Sequence, residues 1–488
     1  MLKKHLTSSV LSYLRFHARK ALIKHDPTII GIAGSVGKSS ARNAIEAVLK
    51  DHFPTKSVGN SETGIPLGIL GMRPTDYSLT NWATMLLGAP LKTNYLQNTK
   101  YLIAEMGIDE PSPPKNMEYL LTILKPHIAV ILNESATHTM QFEKALTKSQ
   151  LEELSGKKRV DFLIKKIAEE DAKIITKSSC TIGIYNADDS NITNALSRHS
   201  GERSDSRISS ADEEQGGSGQ VPTNRDPDIV GAGMTRTLLT FGKSKQNHVS
   251  YDAYKITLDG SSFSFSVNIP NNPNKLITLT FPNLLLPEAY QQTFAAAILI
   301  ALQTGLTLEQ IQTSLEKNFT LPKGRSNIFK GIQDTIIIDS SYNASKAAVF
   351  AFLNMVALLK KQTKRPVVFV FGDMRELGEE SKIEHEEVAE KLIGIVDYLY
   401  CVGPQTRQFV FPIVQKHEEH FREIRWFDTS VRAGAFLKEN MPKNAIVLVK
   451  GSQNTIFLEE TVKAILQNSE DEQYLCRQDQ YWKKIKMI

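Results

Sequence analysis

Thr28-Ile-Ile-Gly-Ile-Ala-Gly-Ser-Val-Gly-Lys-Ser-Ser40 is the stretch on which the fold turns. Its β-branched beginning, Thr28–Ala33, predicts a buried strand, and a helical pattern follows from Ala41 to Leu49. Strand, glycine turn and helix in that order open an α/β unit. A turn that binds phosphate needs glycines, so that the backbone can bend tightly and aim its N–H groups at oxygens. It also needs a lysine for the phosphate charge and a hydroxyl for Mg²⁺. Gly34, Gly37, Lys38 and Ser39 supply these, with Ser35 and Ser40 completing the loop. The strict G-x-x-x-x-G-K-[ST] spacing is not met: position 32 is Ile, and glycines stand at 31 and 34 instead. The context nevertheless points to nucleotide binding.

Outward from this loop, apolar runs at Tyr101–Ala104, Ile128–Leu132 and Ile182–Tyr185 alternate with helical patterns. They predict a mostly parallel sheet covered on both faces. Alternating stretches at Tyr251–Thr257, Ser262–Val267 and Leu276–Phe281 predict further strands, and Tyr290–Gln303 a helix. After Leu321 the pattern begins again, with strand candidates Thr335–Ile338, Val367–Phe371, Tyr398–Val402 and Ile446–Val449. The predicted fold is therefore α/β: a central P-loop ATPase domain over 28–321 and a C-terminal Rossmann-like α/β domain over 322–488. Within the first of these lies a stretch at about 198–235, rich in Ser, Asp, Glu, Gly and Gln, whose composition predicts a disordered insertion.

The first 27 residues form a basic, weakly amphipathic segment. Leu2, Leu6, Val10, Leu14 and Ala18 fall at helical spacing among lysines and arginines, and Pro27 ends the pattern. Two readings stand: a helix docked on the following domain, or a helix in weak contact with a membrane surface. The chain of 488 residues carries a net charge of +5, with 41% apolar and 23% charged residues. That balance argues against wholesale disorder and against a nucleic-acid-binding domain. Three dispersed cysteines, Cys180, Cys401 and Cys476, form no CxxC pair and suit a reducing cytoplasm. No run of about 18 apolar residues occurs.

Two further side chains stand where strands end. Glu105 follows the Tyr101–Ala104 run, and in a parallel sheet the strand C-termini converge on the ligand side. His138 follows Ile128–Leu132 after the short loop Asn133-Glu-Ser-Ala-Thr137.

The ordered segments GIAGSVGKSS (31–40), NSETGIPLGIL (60–70), AEMGIDEP (104–111), KPHIAVILNESATHTMQF (125–142), YNADDSN (185–191), KGR (323–325), IIDSSYNAS (337–345), FGDMRELGEES (371–381) and VLVKGSQN (447–454) resemble one family, the Mur ligases. These are ATP-dependent amide ligases of peptidoglycan synthesis. The resemblance implies ATP and Mg²⁺ as cofactors, with a peptidoglycan precursor and an amino acid or dipeptide as small-molecule partners. The reaction it implies passes through an acyl phosphate and adds D-Ala-D-Ala to a muramoyl peptide, in a cytoplasmic, monomeric enzyme. It implies that Lys38 contacts the β/γ-phosphates, that Ser39 and Glu105 hold one Mg²⁺, and that His138 serves a second. Arg325 would approach the γ-phosphate from the C-terminal domain. Asn133, Asp339, Tyr342 and Asn343 would bind the nucleotide, and Lys450-Gly451-Ser452 would border the acceptor site. Asp373 and Glu376 would shape a loop.

Three departures accompany the resemblance. The family's carbamoylated lysine has only Lys157 and Lys158 as counterparts. Its His and Asn before the alanine-rich helix are replaced within Leu286-Pro-Glu-Ala-Tyr-Gln-Gln292. Only about 30 residues precede the loop, where the family carries a UDP-sugar-binding domain. Two alternatives therefore stay open: a related ligase with another carboxylate and amine (polyglutamyl, cyanophycin-like or lipid-linked), and a non-catalytic nucleotide-binding scaffold.

Overall fold

The run Thr28–Ala33 forms β1, third in a nine-stranded sheet of order β2-β3-β1-β4-β5-β6-β7-β8-β9. The computed structural model describes residues 2–74, 78–136, 139–198, 236–270, 272–452 and 455–486. The helices and strands up to β5 are α1 (Leu2–His25), β1, α2 (Lys38–Leu49), β2 (Thr55–Val58), α3 (Gly64–Ile69), α4 (Leu79–Gly88), β3 (Tyr101–Glu105), α5 (Met117–Ile123), β4 (Ile128–Ile131), α6 (Thr139–Glu143), α7 (Lys148–Glu153), α8 (Gly156–Asp171), α9 (Lys173–Thr176) and β5 (Ile182–Asn186). A helix over 190–198, α10, follows. Strands β1 to β5 pair in parallel, and β1, β3 and β4 are buried almost throughout because helices cover both faces. The predicted insertion, apart from Arg198 in α10, lies outside the described residues.

Four more strands extend the sheet: β6 (Thr237–Gly242), β7 (Val249–Thr257), β8 (Gly260–Ile269) and β9 (Asn272–Pro282). Strand β6 is parallel to β5, but β7, β8 and β9 form an antiparallel meander. Strand β8 alternates strictly, burying Phe263, Phe265 and Val267 while Ser262, Ser264 and Ser266 turn to the other face. The buried rings meet Phe294 of α11 (Tyr290–Gln303), which stacks on Phe281 at 4.6 Å, and Phe319 after α12 (Leu308–Asn318). Helices α11 and α12 also flank α2 in the same core, so the helix that follows the glycine loop is held by residues far along the chain.

Residues 327–450 form a second sheet of six strands, β10 (Asn327–Gly331), β11 (Thr335–Ser340), β12 (Val367–Gly372), β13 (Tyr398–Val402), β14 (Glu423–Phe427) and β15 (Ile446–Lys450), in the order β10-β11-β15-β12-β13-β14. Only β10 runs antiparallel to its neighbour. Ile256 and Leu285 of the first unit are buried in the core of the second. Ser326 Oγ donates to Leu285 O at 2.5 Å, and Gln362 Nε2 to Ile256 O at 2.9 Å.

Helix α1 docks through Leu11, Leu14, Ala18 and Ala21 onto α3, α4 and α5, as the first of its two readings expects. Among the described residues, no helix is long and apolar enough to cross a membrane.

Candidate active site

The glycine loop leaves β1 at its C-terminal end and enters α2 through Gly37, whose φ of 93° lies in the left-handed region that glycine tolerates. Gly34, at φ 120°, sits so close to Asn133 that an added Cβ would lie 3.0 Å from the Asn133 carbonyl oxygen. Gly31 has a different reason to be glycine: a Cβ there would lie 2.5 Å from Pro126 Cγ. It serves packing within the sheet, which accounts for the irregular glycine spacing of the motif.

Lys38 folds its ammonium back over the loop, donating to the carbonyls of Gly34 and Ser35. One turn inside the site, Ser39 Oγ donates to Glu105 Oε2 at 3.0 Å. Arg42 Nη1 pairs with the other oxygen, Glu105 Oε1, at 2.7 Å. The spacing of 39 and 42 puts both on one face of α2, and β3, adjacent to β1, brings the buried Glu105 beneath them. A hydroxyl and a carboxylate so placed beside a phosphate loop are an oxygen donor set suited to Mg²⁺. Asn133 closes the opposite wall: its carbonyl accepts from Ser35 N at 2.8 Å, and its Nδ2 donates to Val36 O and to Gln292 Oε1. Ser40 Oγ meets the Tyr290 hydroxyl at 3.4 Å.

Beneath the loop lies a group of carboxylates. Gly34 N donates to Asp171 Oδ2 at 3.2 Å, Ser35 Oγ donates to Glu134 Oε2 at 2.8 Å, and Glu134 N donates to Asp189 Oδ2 at 2.7 Å. Among the described residues, Glu134 Oε1 and Asp171 Oδ1 are shut off from solvent with no donor besides each other's carboxyl. Burial is the main cause that lifts Asp171 to about 6, opposed by the nearby Lys38 charge. Glu134 is raised well above the ordinary carboxylate range, by burial first and by the Asp171 charge second. The two carboxyls are hydrogen-bonded to each other, so one of them holds a proton and the remaining charge faces Lys38.

The second unit contributes its own cluster. Arg325 stacks over the Tyr342 ring at 4.8 Å, and Tyr342 N donates to Gly324 O at 3.0 Å. The Arg325 charge reaches both the Tyr290 phenol of the first unit and Lys450 of the second. Lys450, at the end of β15, is buried and donates to Ser340 Oγ at 3.1 Å and Asn343 O at 2.9 Å. Burial, reinforced by Arg325, lowers its pKa to about 7. Asp339 is fully buried, turns toward Ser341 N at 3.0 Å, and is raised to about 6, mainly by burial. Asn343 Oδ1 accepts from the following backbone N–H of Ala344. Asp373 receives the N–H groups of Gln405 and Thr406 and so ties two loops together. Ser452 donates to Ala344 O at 3.4 Å and receives Arg375 N. The 374–380 loop reaches the first unit, where Leu377 O accepts from Thr139 Oγ1 at 3.4 Å. Arg159 bridges Glu143 and Glu379 across the same junction.

The structure thus gathers Gly34, Ser35, Gly37, Lys38, Ser39, Ser40, Glu105 and Asn133 around one loop. Arg325, Tyr342 and Asn343 gather on the other unit, with Asp339 buried behind them. His138 lies outside the described residues. Lys157 and Lys158 are exposed on the first turn of α8, while Asp171 at the far end of the same helix meets the loop. Tyr290 and Gln292, in the stretch where the sequence departs from the motif, are the ones that touch Ser40 and Asn133. Sequence patterning missed Arg42, Glu134, Asp171, Tyr290 and Gln292 as loop partners. Only the i, i+3 spacing of Ser39 and Arg42 carried a local signal.

Residues 324–453 match the family model described as Mur ligase, glutamate ligase domain. The UDP-N-acetylmuramoyl-tripeptide–D-alanyl-D-alanine ligase of Rickettsia prowazekii is 24% identical over 428 residues, spanning 87% of this chain and 75% of the relative. The structure of MurF ligase from Thermotoga maritima in complex with ADP superposes with a TM-score of 0.64 at 19% identity, over 95% of this chain and 84% of that one. The apo form of L. casei FPGS superposes with a TM-score of 0.53 at 14% identity, over 93% of each chain. Residues 324–453 thus carry a Mur ligase domain, and the rest of the chain is similar in sequence and fold to these ligases over most of its length.

Proposed function

We propose that this protein is an ATP-dependent carboxylate–amine ligase that joins D-Ala-D-Ala to a muramoyl peptide in the cytoplasm. The observation that carries this reading is the phosphate loop with Ser39 and Glu105 in hydrogen-bond contact at its mouth, in a chain that follows such a ligase over 87% of its length. Residues 28–321 bind ATP and residues 322–488 close over it. Lys38 and the loop N–H groups bind the phosphates, and Arg325 approaches from the second unit. Ser39 and Glu105 would hold one Mg²⁺ and His138 would serve a second. When bound, Mg²⁺ neutralises phosphate charge as a Lewis acid. A carboxylate is a poor electrophile, so its oxygen first takes the γ-phosphoryl group, releasing ADP. The amine then attacks the acyl carbon and expels phosphate, losing a proton as the amide forms. The Arg325 guanidinium lies over the Tyr342 ring, and Asp339, Tyr342 and Asn343 bind the nucleotide from the second unit. Closure of the two units keeps water from the acyl phosphate.

The test is phosphate release by the purified chain, with UDP-N-acetylmuramoyl-tripeptide and D-Ala-D-Ala supplied singly and together. Turnover only with both, abolished by Lys38→Ala in a protein of unchanged melting temperature, is the expected outcome. Turnover with neither pair member present, or no turnover with both supplied, rejects it. A second reading keeps the chemistry and changes the carboxylate and amine. It is favoured by the full-length correspondence to L. casei FPGS, 93% of each chain. Mass spectrometry of products from a panel of carboxylates and amines separates the two.

A further inference from the structure

Thirteen large apolar side chains are exposed among the described residues, and six of them come from two short stretches: Tyr13, Phe16 and Ile23 of α1, and Leu87, Leu91 and Tyr95 around the end of α4. Phe16 is 63% exposed, Ile23 78%, Leu87 78% and Leu91 83%. Phe16 and Ile23 lie two turns apart on the face of α1 opposite its buried Leu14, Ala18 and Ala21. Leu87 and Leu91 lie one turn apart where α4 runs into a 3-10 turn, Ala89–Lys92. The two stretches adjoin: Lys24 Nζ donates to Asn94 Oδ1 at 2.6 Å, and the His25 ring contacts Thr93 O at 3.0 Å.

Their charge is one-sided. Helix α1 has no acidic residue in 24 positions and six lysines or arginines. Residues 78–104 are likewise free of Asp and Glu and add Lys92 and Lys100. In a chain with nearly equal numbers of acids and bases, two adjoining acid-free stretches make a local cationic field. Arg15 is committed to the protein through Thr122 Oγ1 and the Tyr119 ring, but Arg19 and Lys20 lie on the outward face beside Phe16 and Ile23.

We propose that this face docks on the surface of an anionic phospholipid bilayer, with Phe16, Ile23, Leu87 and Leu91 entering the headgroup boundary and Arg19, Lys20, Lys24 and Lys92 meeting lipid phosphates. Apolar side chains flanked by bases and unaccompanied by acids are what an anionic interface selects. An apolar protein partner would not call for the missing acids. The face does not overlap the residues around the phosphate loop, so the proposal stands apart from the ligase reading. It places the enzyme at a membrane surface, where a lipid-borne carboxylate would be within reach.

The test is co-sedimentation of the full chain with vesicles of phosphatidylcholine alone or with about one-third phosphatidylglycerol. Binding is expected with the mixed vesicles only, and weakens as salt rises. Each base near an anionic surface contributes roughly fivefold in partitioning. Arg19→Glu with Lys20→Glu is therefore expected to weaken binding more than about tenfold, and Phe16→Ser with Leu91→Ser by a similar factor. None of these residues touches the phosphate loop, so ATP-dependent turnover in solution and the melting temperature serve as controls for folding. Absence of binding to the mixed vesicles at low salt overturns the proposal, as does binding by both double variants equal to that of the unaltered protein. Concentration-dependent dimerisation of the vesicle-free protein, abolished by Phe16→Ser with Leu91→Ser, overturns it in favour of a second copy of the chain.

Discussion

Asp171 accepts a hydrogen bond from the backbone N–H of Gly34 at 3.2 Å, joining the last residue of α8 to the first of the phosphate loop across 137 positions. The contact puts a buried carboxylate under the loop, in a position where the charge of Lys38 already acts on it. Burial lifts Asp171 to about 6, so the folded protein retains a proton that the unfolded chain releases near its ordinary value of 3.8. Stability therefore falls as pH rises between those values and carries a constant penalty above them. Asp171→Asn keeps the acceptor for Gly34 and removes the charge. The expected result is a flatter dependence of melting temperature on pH between about 4 and 6, with ligation reduced at least about tenfold at pH 7.5. Thermal melts across pH and a phosphate-release assay read the two effects separately.

Glu105→Gln should raise the Mg²⁺ concentration for half-maximal turnover at least about tenfold, because a neutral amide is a far weaker ligand for a hard cation. The same change leaves Arg42, now paired at 2.7 Å, without its counter-charge. A melting temperature several degrees lower is expected alongside. Ser39→Ala should act on the same Mg²⁺ titration, and the double variant should show less than the sum of the two free-energy changes, since both side chains serve one contact.

Gly34→Ala forces a side chain into φ 120° with its Cβ 3.0 Å from a backbone oxygen. A loss of about 1–3 kcal/mol in stability is expected, together with loss of ATP binding measured by calorimetry. Gly305→Ala is the control: φ is also positive there, at 88°, but the surroundings are open. About 1 kcal/mol and unchanged ATP binding are expected from it.

Lys450 gives a prediction of opposite sign. Its pKa is lowered to about 7 by burial, against an ordinary 10.5, so the unfolded chain holds the proton that the folded protein sheds. Stability should rise with pH between those values. Lys450→Met keeps an unbranched buried side chain but loses the ammonium's contact with the Phe352 ring and its bonds to Ser340 and Asn343. The expected outcome is a flattened rise in stability above pH 7 and a turnover reduced about tenfold, because the 340–345 segment carrying Tyr342 loses two of its side-chain ties to the end of β15. Denaturation at several pH values, paired with kcat and KM, checks both.

The phosphate loop was legible because its chemistry is local: Gly34, Gly37, Lys38 and Ser39 act through backbone turns and side chains within one stretch. The strands were legible for the same reason, since Ile30, Val130 and Phe369 sit in short apolar runs that need no partner to be recognised. What patterning could not reach depends on register between distant elements. Asp171 ends a charged amphipathic helix and resembles any solvated acid until β1 and α8 are brought together. Tyr290 and Gln292 stand where a familiar motif is lost, and only the packing of α11 against α2 aims them at the loop. The antiparallel β7–β9 meander was visible as alternation, yet nothing in that alternation said it would continue the parallel sheet through β6.

The position of α2 between α11 and α12 bears on how this enzyme can be divided. A fragment ending before Tyr290 contains every residue of the phosphate-loop motif and lacks the helices that brace it. The motif is therefore not a portable cassette: transplanted or truncated, it would lose the rigidity that keeps Gly34 and Gly37 in their left-handed turns. Split versions of this protein should complement only when the cut falls between Leu321 and Asn327, after the braced unit is whole and before the second sheet begins.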